Sequence, residues 1–129
     1  NWQIGIDKPV DDPVNESAEI QTILSITNVG LTTSGNYRQF YFRDGKKFAH
    51  TIDPRTGKPV DHNMLSATVV ASDCMTADAY ATAFMVLGVD SAMKVCNSID
   101  GLDCYLIYSD EKGEFKTTYT KGFEKYLQK

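Results

Sequence analysis

Two adjoining stretches carry the strongest structural signals: LSATVVA at residues 65–71 and MTADAYATAFMVL at residues 75–87. The first is rich in β-branched and small apolar residues, which is typical of a buried strand. The second predicts a helix that ends at Gly88, because glycine readily adopts the backbone angles of a helix C-cap. Asp73 and Thr76 are both candidates for its N-cap. The chain is therefore predicted to pass from a buried strand directly into a helix.

Upstream, residues 38–52 predict a β-hairpin. Two strand-like runs flank Asp44 and Gly45, a dipeptide that favours a two-residue turn. With that turn, Tyr41 faces Phe48 across the hairpin. The same register places four side chains on one face of the ribbon: Tyr41, Phe48, His50 and Ile52.

Further strands and helices are predicted on both sides of these stretches. Strands are predicted at residues 1–6, 20–29, 102–108 and 114–118, a second helix at 91–98 with Asp90 as its cap, and a short helix at 122–128. Residues 7–15 have the composition of a loop. Residues 30–36 are small and polar, with two glycines, and could let a ligand approach the backbone closely. Strand hairpins with segregated helices predict an α+β fold, in which two or three helices pack on an antiparallel sheet.

Composition limits the class of protein. The 129 residues, 42% hydrophobic and 23% charged, suit one soluble domain. The net charge of −4 is spread along the chain without a Lys/Arg patch, so nucleic-acid binding is not expected. The chain opens at Asn1 inside a strand-like run, and we expect that an amino-terminal part of a longer protein precedes it.

The three cysteines are Cys74, Cys96 and Cys104, and they form neither a CxxC pair nor a metal-ligand spacing. The odd count argues against a full disulfide framework. Two alternatives stay open: one bridge in an exported protein, or three buried thiols.

Asp78 and Thr82 lie four residues apart on the predicted helix, so both side chains point the same way. A carboxylate and a hydroxyl are hard oxygen ligands of the kind that Mg²⁺ takes, although Mg²⁺ requires six oxygens. The structural alternative is an aspartate that complements the helix dipole beside a packed threonine. From spacing alone, the structural alternative is the commoner one.

Two histidines differ in their surroundings. His50 precedes the turn at residues 53–57 and is a candidate general base, although a single strand histidine is more often structural. His62 lies in a polar loop and is expected to be solvated. Ser34 and Gly35 by themselves indicate a plain polar turn.

The chain resembles the ApbE-type flavin transferases over nearly its whole length. The resemblance is carried by ordered motifs at fitting separations: WQIGIDKP at 2–9, TSGNYR at 33–38, HTIDPRTG at 50–57, LSATVVA at 65–71 and MTADAYAT at 75–82. Together they are far more specific than any one motif.

The resemblance implies a Mg²⁺-dependent enzyme that transfers FMN from FAD to a Ser or Thr hydroxyl of an acceptor protein and releases AMP. It implies that the chain is the carboxyl-terminal part of a larger, T-fold-like domain. It assigns Mg²⁺ to Asp78 and Thr82. It assigns FAD contacts to five residues, with His50 as the candidate base: Ser34, Gly35, His50, Thr51 and Ile52.

Two departures from the family pattern bear on activity. Some relatives carry a carboxylate directly before the metal-binding threonine, where this chain has Ala81. The resemblance also implies that the amino-terminal half of the family, which supplies another metal ligand and much of the FAD pocket, lies outside these 129 residues. The isolated chain is therefore expected to be catalytically incomplete. Three alternatives stay open: a Mg²⁺-dependent FAD hydrolase, a non-catalytic FAD-binding module and an interaction domain. From the family we also expect export to the periplasm or the outer face of the cytoplasmic membrane, with a lipid anchor.

Overall fold

A computed structural model of the chain describes residues 1–9, 19–36 and 40–128, with the backbone alone at 40–42 and 46–49. The chain has an α+β fold, as expected. Its elements are β1 (Trp2–Asp7), β2 (Ile20–Ile26), β3 (Gly30–Gly35), β4 (Phe40–Arg43), β5 (Lys46–Ala49), β6 (Ile52–Asp53), β7 (Lys58–Pro59), β8 (Met64–Ala71), α1 (Cys74–Leu87), α2 (Val89–Asn97), β9 (Asp103–Ser109), β10 (Phe115–Tyr119) and a 3₁₀ helix (Lys121–Tyr126). Part of the predicted loop at 7–15 lies outside the described residues.

The central sheet is antiparallel and has the order β10-β9-β8-β3. Its interior strand β8 and the helix that follows confirm the prediction made from residues 65–71 and 75–87. Strand β8 is covered on both faces, which explains its unbroken run of small and β-branched residues.

Both α-helices pack on one face of this sheet. The buried side of α1 consists of Ala77, Ala81, Phe84 and Met85. These side chains join Val69 and other strand residues in one buried cluster, to which α2 contributes Ala92 and Cys96. The two alanines bring the helix axis close to the strands, because they put little volume between the two backbones.

The opposite face of the sheet is covered by the β1–β2 ribbon and the 3₁₀ helix. The second buried cluster contains Leu24 and Ile26 from the ribbon, Val70 and Ile107 from the sheet, and Phe123 from the 3₁₀ helix. The last residues attach to the ribbon, since the backbone N–H of Gln128 donates to the carbonyl of Ile23 at 3.0 Å. The sheet is therefore the middle layer of three.

Residues 30–35 form strand β3, so the prediction of a plain polar turn at residues 33–36 is wrong. The six residues pair with β8 in register, Gly30 opposite Ala71 and Gly35 opposite Ser66. A Cβ on Gly30 would lie 2.2 Å from the carbonyl carbon of Asp73. This glycine therefore admits the start of α1 rather than a ligand.

Both ends of α1 agree with the sequence prediction, whereas the start of α2 does not. Asp73 is the N-cap of α1, with its carboxylate accepting from the N–H of Thr76 at 2.8 Å. Gly88 ends α1 with a φ of 84°. Because α2 begins at Val89, Asp90 lies inside its first turn, and its prediction as a cap is wrong. There it complements the helix dipole.

The β4–β5 hairpin has the predicted register, with Tyr41 opposite Phe48. Its turn residues Asp44 and Gly45 have φ angles of 52° and 77°, as a type I′ turn requires. Strand β5 ends at Ala49, however, and Ile52 pairs with Pro59 in a separate ribbon. The prediction that one hairpin face continues to Ile52 is therefore wrong, because the chain changes partner after Ala49.

All three cysteines are free thiols. Cys96 and Cys104 are buried and Cys74 is exposed, so the alternative of three buried thiols is wrong for Cys74. The interaction with the Cys96 thiol is the largest cause, and burial the second, that raises the pKa of the Cys104 thiol well above its ordinary value. Within the described residues, no helix is both long and apolar enough to span a bilayer.

Candidate functional site

A cavity of about 310 Å³ opens at the outer edge of the sheet, where β3 pairs with β8 on one side only as far as the described residues show. It lies between β3, the last two turns of α1 and the segment that links β5 to β6. Its lining consists of Thr33, Ser34, Gly35, His50, Thr51, Thr82 and Met85. Five of the seven site residues assigned by the resemblance are among them.

The alternation of strand β3 aims Ser34 at the helix. Ser34 lies opposite Ala67, which faces the helices, and its hydroxyl is 3.4 Å from that of Thr82. The preceding residue, Thr33, points to the other face of the sheet and shares a 2.8 Å hydrogen bond with Thr68. Strand β3 thus directs the hydroxyl of Ser34 toward the helix side, and the hydroxyl of Thr33 holds the strand to β8 on the opposite face.

Helix α1 supplies the facing wall. Thr82 is exposed at the opening, whereas Met85 is almost fully buried below it. Asp78 lies one turn before Thr82 on the same side of the helix and is also exposed. Among the described residues, Asp78 and Ile52 are the two assigned residues that do not line the cavity.

The donor set fits the chemistry of Mg²⁺ in kind. Asp78 offers a carboxylate, and Thr82 and Ser34 offer hydroxyls, all of them hard oxygen ligands. In the part of the chain that the structure describes, no three His, Cys, Asp or Glu residues cluster as a metal site would need. Substrate phosphates, water or further protein ligands would have to complete the six oxygens.

The third wall is the short connection between β5 and β6. His50 is exposed and Thr51 half-buried at the cavity. The carbonyl of Thr51 accepts from the N–H of Val60 at 3.0 Å, which fixes this segment to the strand that returns from the turn. Ile52 is 49% exposed and is not among the lining residues.

The turn after Ile52 is stabilised by an ion pair between Asp53 and Arg55. The carboxylate of Asp53 accepts from Arg55 three times, from the backbone N–H at 2.9 Å, Nε at 3.0 Å and Nη2 at 2.8 Å. These hydrogen bonds hold the pKa of Asp53 below its usual value and raise the pKa of Arg55. The guanidinium is therefore occupied within the turn.

Two half-buried residues next to the cavity were missed by sequence reasoning. Asn36 directly follows the lining residue Gly35. Its side-chain amide donates to the carbonyl of Met64 at 3.0 Å, and its backbone N–H donates to the carbonyl of Leu65 at 3.1 Å. Tyr37 and Arg38, which end the TSGNYR motif at 33–38, lie outside the described residues. Asn36 thus ties the end of β3 to β8.

The second missed residue is His62, whose prediction as a solvated loop residue is wrong. Its Nε2 lies 2.5 Å from the carbonyl of Met85, and its Nδ1 accepts from the N–H of Met64 at 3.2 Å. Met85 is 23 residues away in sequence, so no local pattern signals this contact.

These observations describe an α+β protein with a hydroxyl- and histidine-lined cavity at the open edge of an antiparallel sheet. A family model described as "ApbE family" matches residues 1–106. The chain belongs to the ApbE family.

Individual relatives agree with that placement. The chain is 41% identical over 126 residues to FAD:protein FMN transferase of Escherichia coli K12, an alignment that covers 98% of this chain and 34% of the relative. Among solved structures, it superposes on flavin transferase ApbE from Vibrio cholerae with a TM-score of 0.77 at 33% identity, covering 98% of this chain and 38% of that one. The apo flavinyl transferase ApbE of Pseudomonas stutzeri gives 0.74 at 32% identity, with 98% and 36% covered. The chain thus spans about a third of the length of these relatives.

Proposed function

We propose that this chain forms part of an enzyme that transfers FMN from FAD to a Ser or Thr hydroxyl of an acceptor protein, with Mg²⁺, and releases AMP. The observation that carries the proposal is the cavity, which brings together Ser34, Gly35, His50, Thr51 and Thr82 from three separate segments. The relatives' names supply the reaction class, namely flavin transfer from FAD to protein.

Asp78 and Thr82 are the residues that would hold Mg²⁺ at the edge of this cavity. When bound, Mg²⁺ would neutralise the charge of the FAD diphosphate, which is the main requirement of phosphoryl transfer. Ser34 lies at 3.4 Å from Thr82, so its hydroxyl is in position to orient Thr82 or to meet the phosphate. Gly35, a lining residue without a side chain, would let the diphosphate approach the backbone of β3 closely.

His50 is the residue that would take up the proton of the reacting hydroxyl. In the proposed step, the acceptor oxygen bonds to the FMN phosphorus, the bond from that phosphorus to the AMP oxygen breaks, and the hydroxyl proton passes to His50. AMP leaves with the electron pair of the broken bond. The exposed position of His50 at the cavity leaves room for an acceptor peptide.

The first experiment is a calorimetric titration of the 129-residue chain with FAD, with and without Mg²⁺. We expect binding that strengthens when Mg²⁺ is added and loses that dependence in Asp78→Ala. Asp90→Ala is the matched control, because Asp90 is likewise an exposed helical aspartate but lies away from the cavity. Equal Mg²⁺ dependence in both variants would remove Asp78 from the metal site.

The second experiment addresses His50 in a full-length enzyme that carries these residues. His50→Ala is expected to slow FMN transfer about 10²–10⁴-fold, the range typical of a general base, while FAD binding is retained. Loss of FAD binding would instead make His50 a residue of the pocket. AMP released from FAD without an acceptor protein would show water acting as nucleophile, and FAD left unchanged would indicate a binding module.

The proposal includes an amino-terminal segment that completes the site. If the site spans both parts, adding the remaining two-thirds of a relative in trans to this chain should produce FMN transfer to an acceptor protein.

The proposal also includes a location, the periplasm or the outer face of the cytoplasmic membrane. Fractionation of cells that express the full-length protein should place it outside the cytoplasmic membrane. Recovery in the cytoplasm would contradict the proposed location without affecting the chemistry.

A further inference from the structure

His62 lies behind the cavity rather than in it, between the end of helix α1 and the start of strand β8. Both ring nitrogens are engaged: Nε2 with the carbonyl of Met85 and Nδ1 with the N–H of Met64. The ring also rests against Gly88, where a Cβ would come within 3.5 Å of it. The end of the helix is thereby closed by a side chain that comes from a distant part of the sequence.

The two partners determine the state of the ring. A backbone N–H can only donate, so Nδ1 must be an acceptor without hydrogen. A carbonyl can only accept, so Nε2 must carry the hydrogen. His62 is therefore required as the neutral Nε2–H tautomer, since a hydrogen on Nδ1 would face the N–H of Met64.

The hydrogen bond from Nε2 of His62 connects the ring to the helical wall of the cavity. Met85 is itself a lining residue, and its carbonyl is one of the last four of α1, which have no partner within the helix. The hydrogen bond from His62 satisfies that carbonyl. It also fixes the last turn of α1, one turn beyond Thr82.

The other end reaches the strand wall. The N–H of Met64 donates to His62, and the carbonyl of Met64 accepts from the side chain of Asn36 at 3.0 Å. Asn36 also donates its N–H to the carbonyl of Leu65 and directly follows Gly35. A continuous series of hydrogen bonds thus runs from Met85 through His62 to the residue after Gly35.

We infer that His62 is a positioning residue for the cavity, joining the α1 wall to the β3 wall as a neutral imidazole. His62 is not among the residues that line the cavity. It acts through Met85 on one side and through Met64 and Asn36 on the other. Its effect on FAD binding rests on the proposed function, whereas the connection between the two walls does not.

The test uses two substitutions that each keep one of the two bonds. In His62→Asn the side-chain oxygen replaces Nδ1 and can still accept from Met64. In His62→Gln the side-chain nitrogen replaces Nε2 and can still donate to Met85. Asp73→Ala is the control, because it removes the cap at the far end of the same helix, away from the cavity.

The measurements are the ¹⁵N shifts of the His62 ring and the hydrogen exchange of the Asn36 backbone amide in the 129-residue chain. We expect the Nε2–H tautomer in the wild type. We expect exchange at Asn36 to rise about tenfold or more in His62→Gln and His62→Asn, and to change about twofold or less in Asp73→Ala at a matched distance below each melting temperature. An Nδ1–H tautomer, or an equal rise in the control, would overturn the inference.

FAD affinity is a separate measurement, which tests whether His62 affects binding at the cavity. If the wild type binds FAD, both His62 variants should bind it more weakly than Asp73→Ala does. If the wild type does not bind FAD, the proposed function fails for this chain, while the tautomer and the exchange rates still decide whether His62 joins the two walls.

Discussion

The two sides of helix α1 carry different properties of the protein. The inner side, with Ala77, Ala81 and Phe84 at 0% exposure, packs on the sheet. The outer side carries Asp78 and Thr82, which are exposed. Asp78 directly follows Ala77, and Thr82 directly follows Ala81. Successive residues of an α-helix are rotated by about 100°, so the buried alanines and the candidate metal ligands lie on different sides of α1.

Because Mg²⁺ binding is proposed for Asp78 and Thr82, this separation predicts that stability and binding can be changed independently on one helix. Substitutions on the inner side should reduce the free energy of unfolding and affect binding through loss of the fold. Substitutions on the outer side should leave the fold intact and change binding alone. Four substitutions test the separation, in order of decreasing expected effect on stability.

Phe84→Ala should have the largest effect, a loss of about 3–5 kcal/mol in the free energy of unfolding, because it removes the largest buried side chain of α1 and leaves a cavity. Urea unfolding measures it. Phe115→Ala on β10 is the control, since Phe115 is 40% exposed and should cost far less. Equal losses would mean that α1 is not packed as described.

Gly30→Ala should lower the free energy of unfolding by about 1–3 kcal/mol, the usual range for overpacking. Its new methyl group would meet the Asp73–Cys74 backbone, which would have to move with the start of α1. Gly5→Ala is the matched strand glycine, where the nearest atom is a side-chain carbon of Ile20 at 3.4 Å. A smaller loss at Gly30 than at Gly5 would contradict the close approach of helix and strand.

Asp73→Asn isolates the charge of the N-cap, because asparagine also caps helices well. The N–H and hydroxyl of Thr76 lower the pKa of Asp73 in the folded protein. A lowered folded pKa gives stability that is present above the unfolded pKa and is lost as pH falls through the folded one. The wild type should therefore melt a few degrees above Asp73→Asn at neutral pH, and the gap should close in acid. Thermal melts between neutral and strongly acidic pH test this, and a gap that persists in acid would refute it.

Asp78→Asn should have the smallest effect on stability, within about 0.5 kcal/mol of the wild type, as is usual for exposed positions. The same substitution should remove the proposed Mg²⁺ dependence of FAD binding. A large loss of stability would place Asp78 on the packed side of α1 and end the separation between the two sides.

Several elements of the fold follow from local signals in the amino-acid sequence. The β8–α1 succession, the cap at Asp73, the end at Gly88 and the Asp44-Gly45 turn are each encoded within a few residues. Short-range preferences govern such features, because the interacting groups are neighbours in the chain. The family is likewise readable from the ordered motifs, since their residue types and spacing are properties of the sequence.

Long-range contacts account for the rest. Residues 33–36 have the composition of a turn, yet residues 33–35 belong to a strand because β8, about 35 residues later, offers an edge to pair with. His62 is in a polar loop by sequence, and it is held at the end of α1 by a carbonyl 23 residues away. Ile52 leaves the predicted hairpin face because Pro59 gives it another partner. In each case the partner lies outside the local segment, and the contact is fixed by packing in three dimensions rather than by local preference.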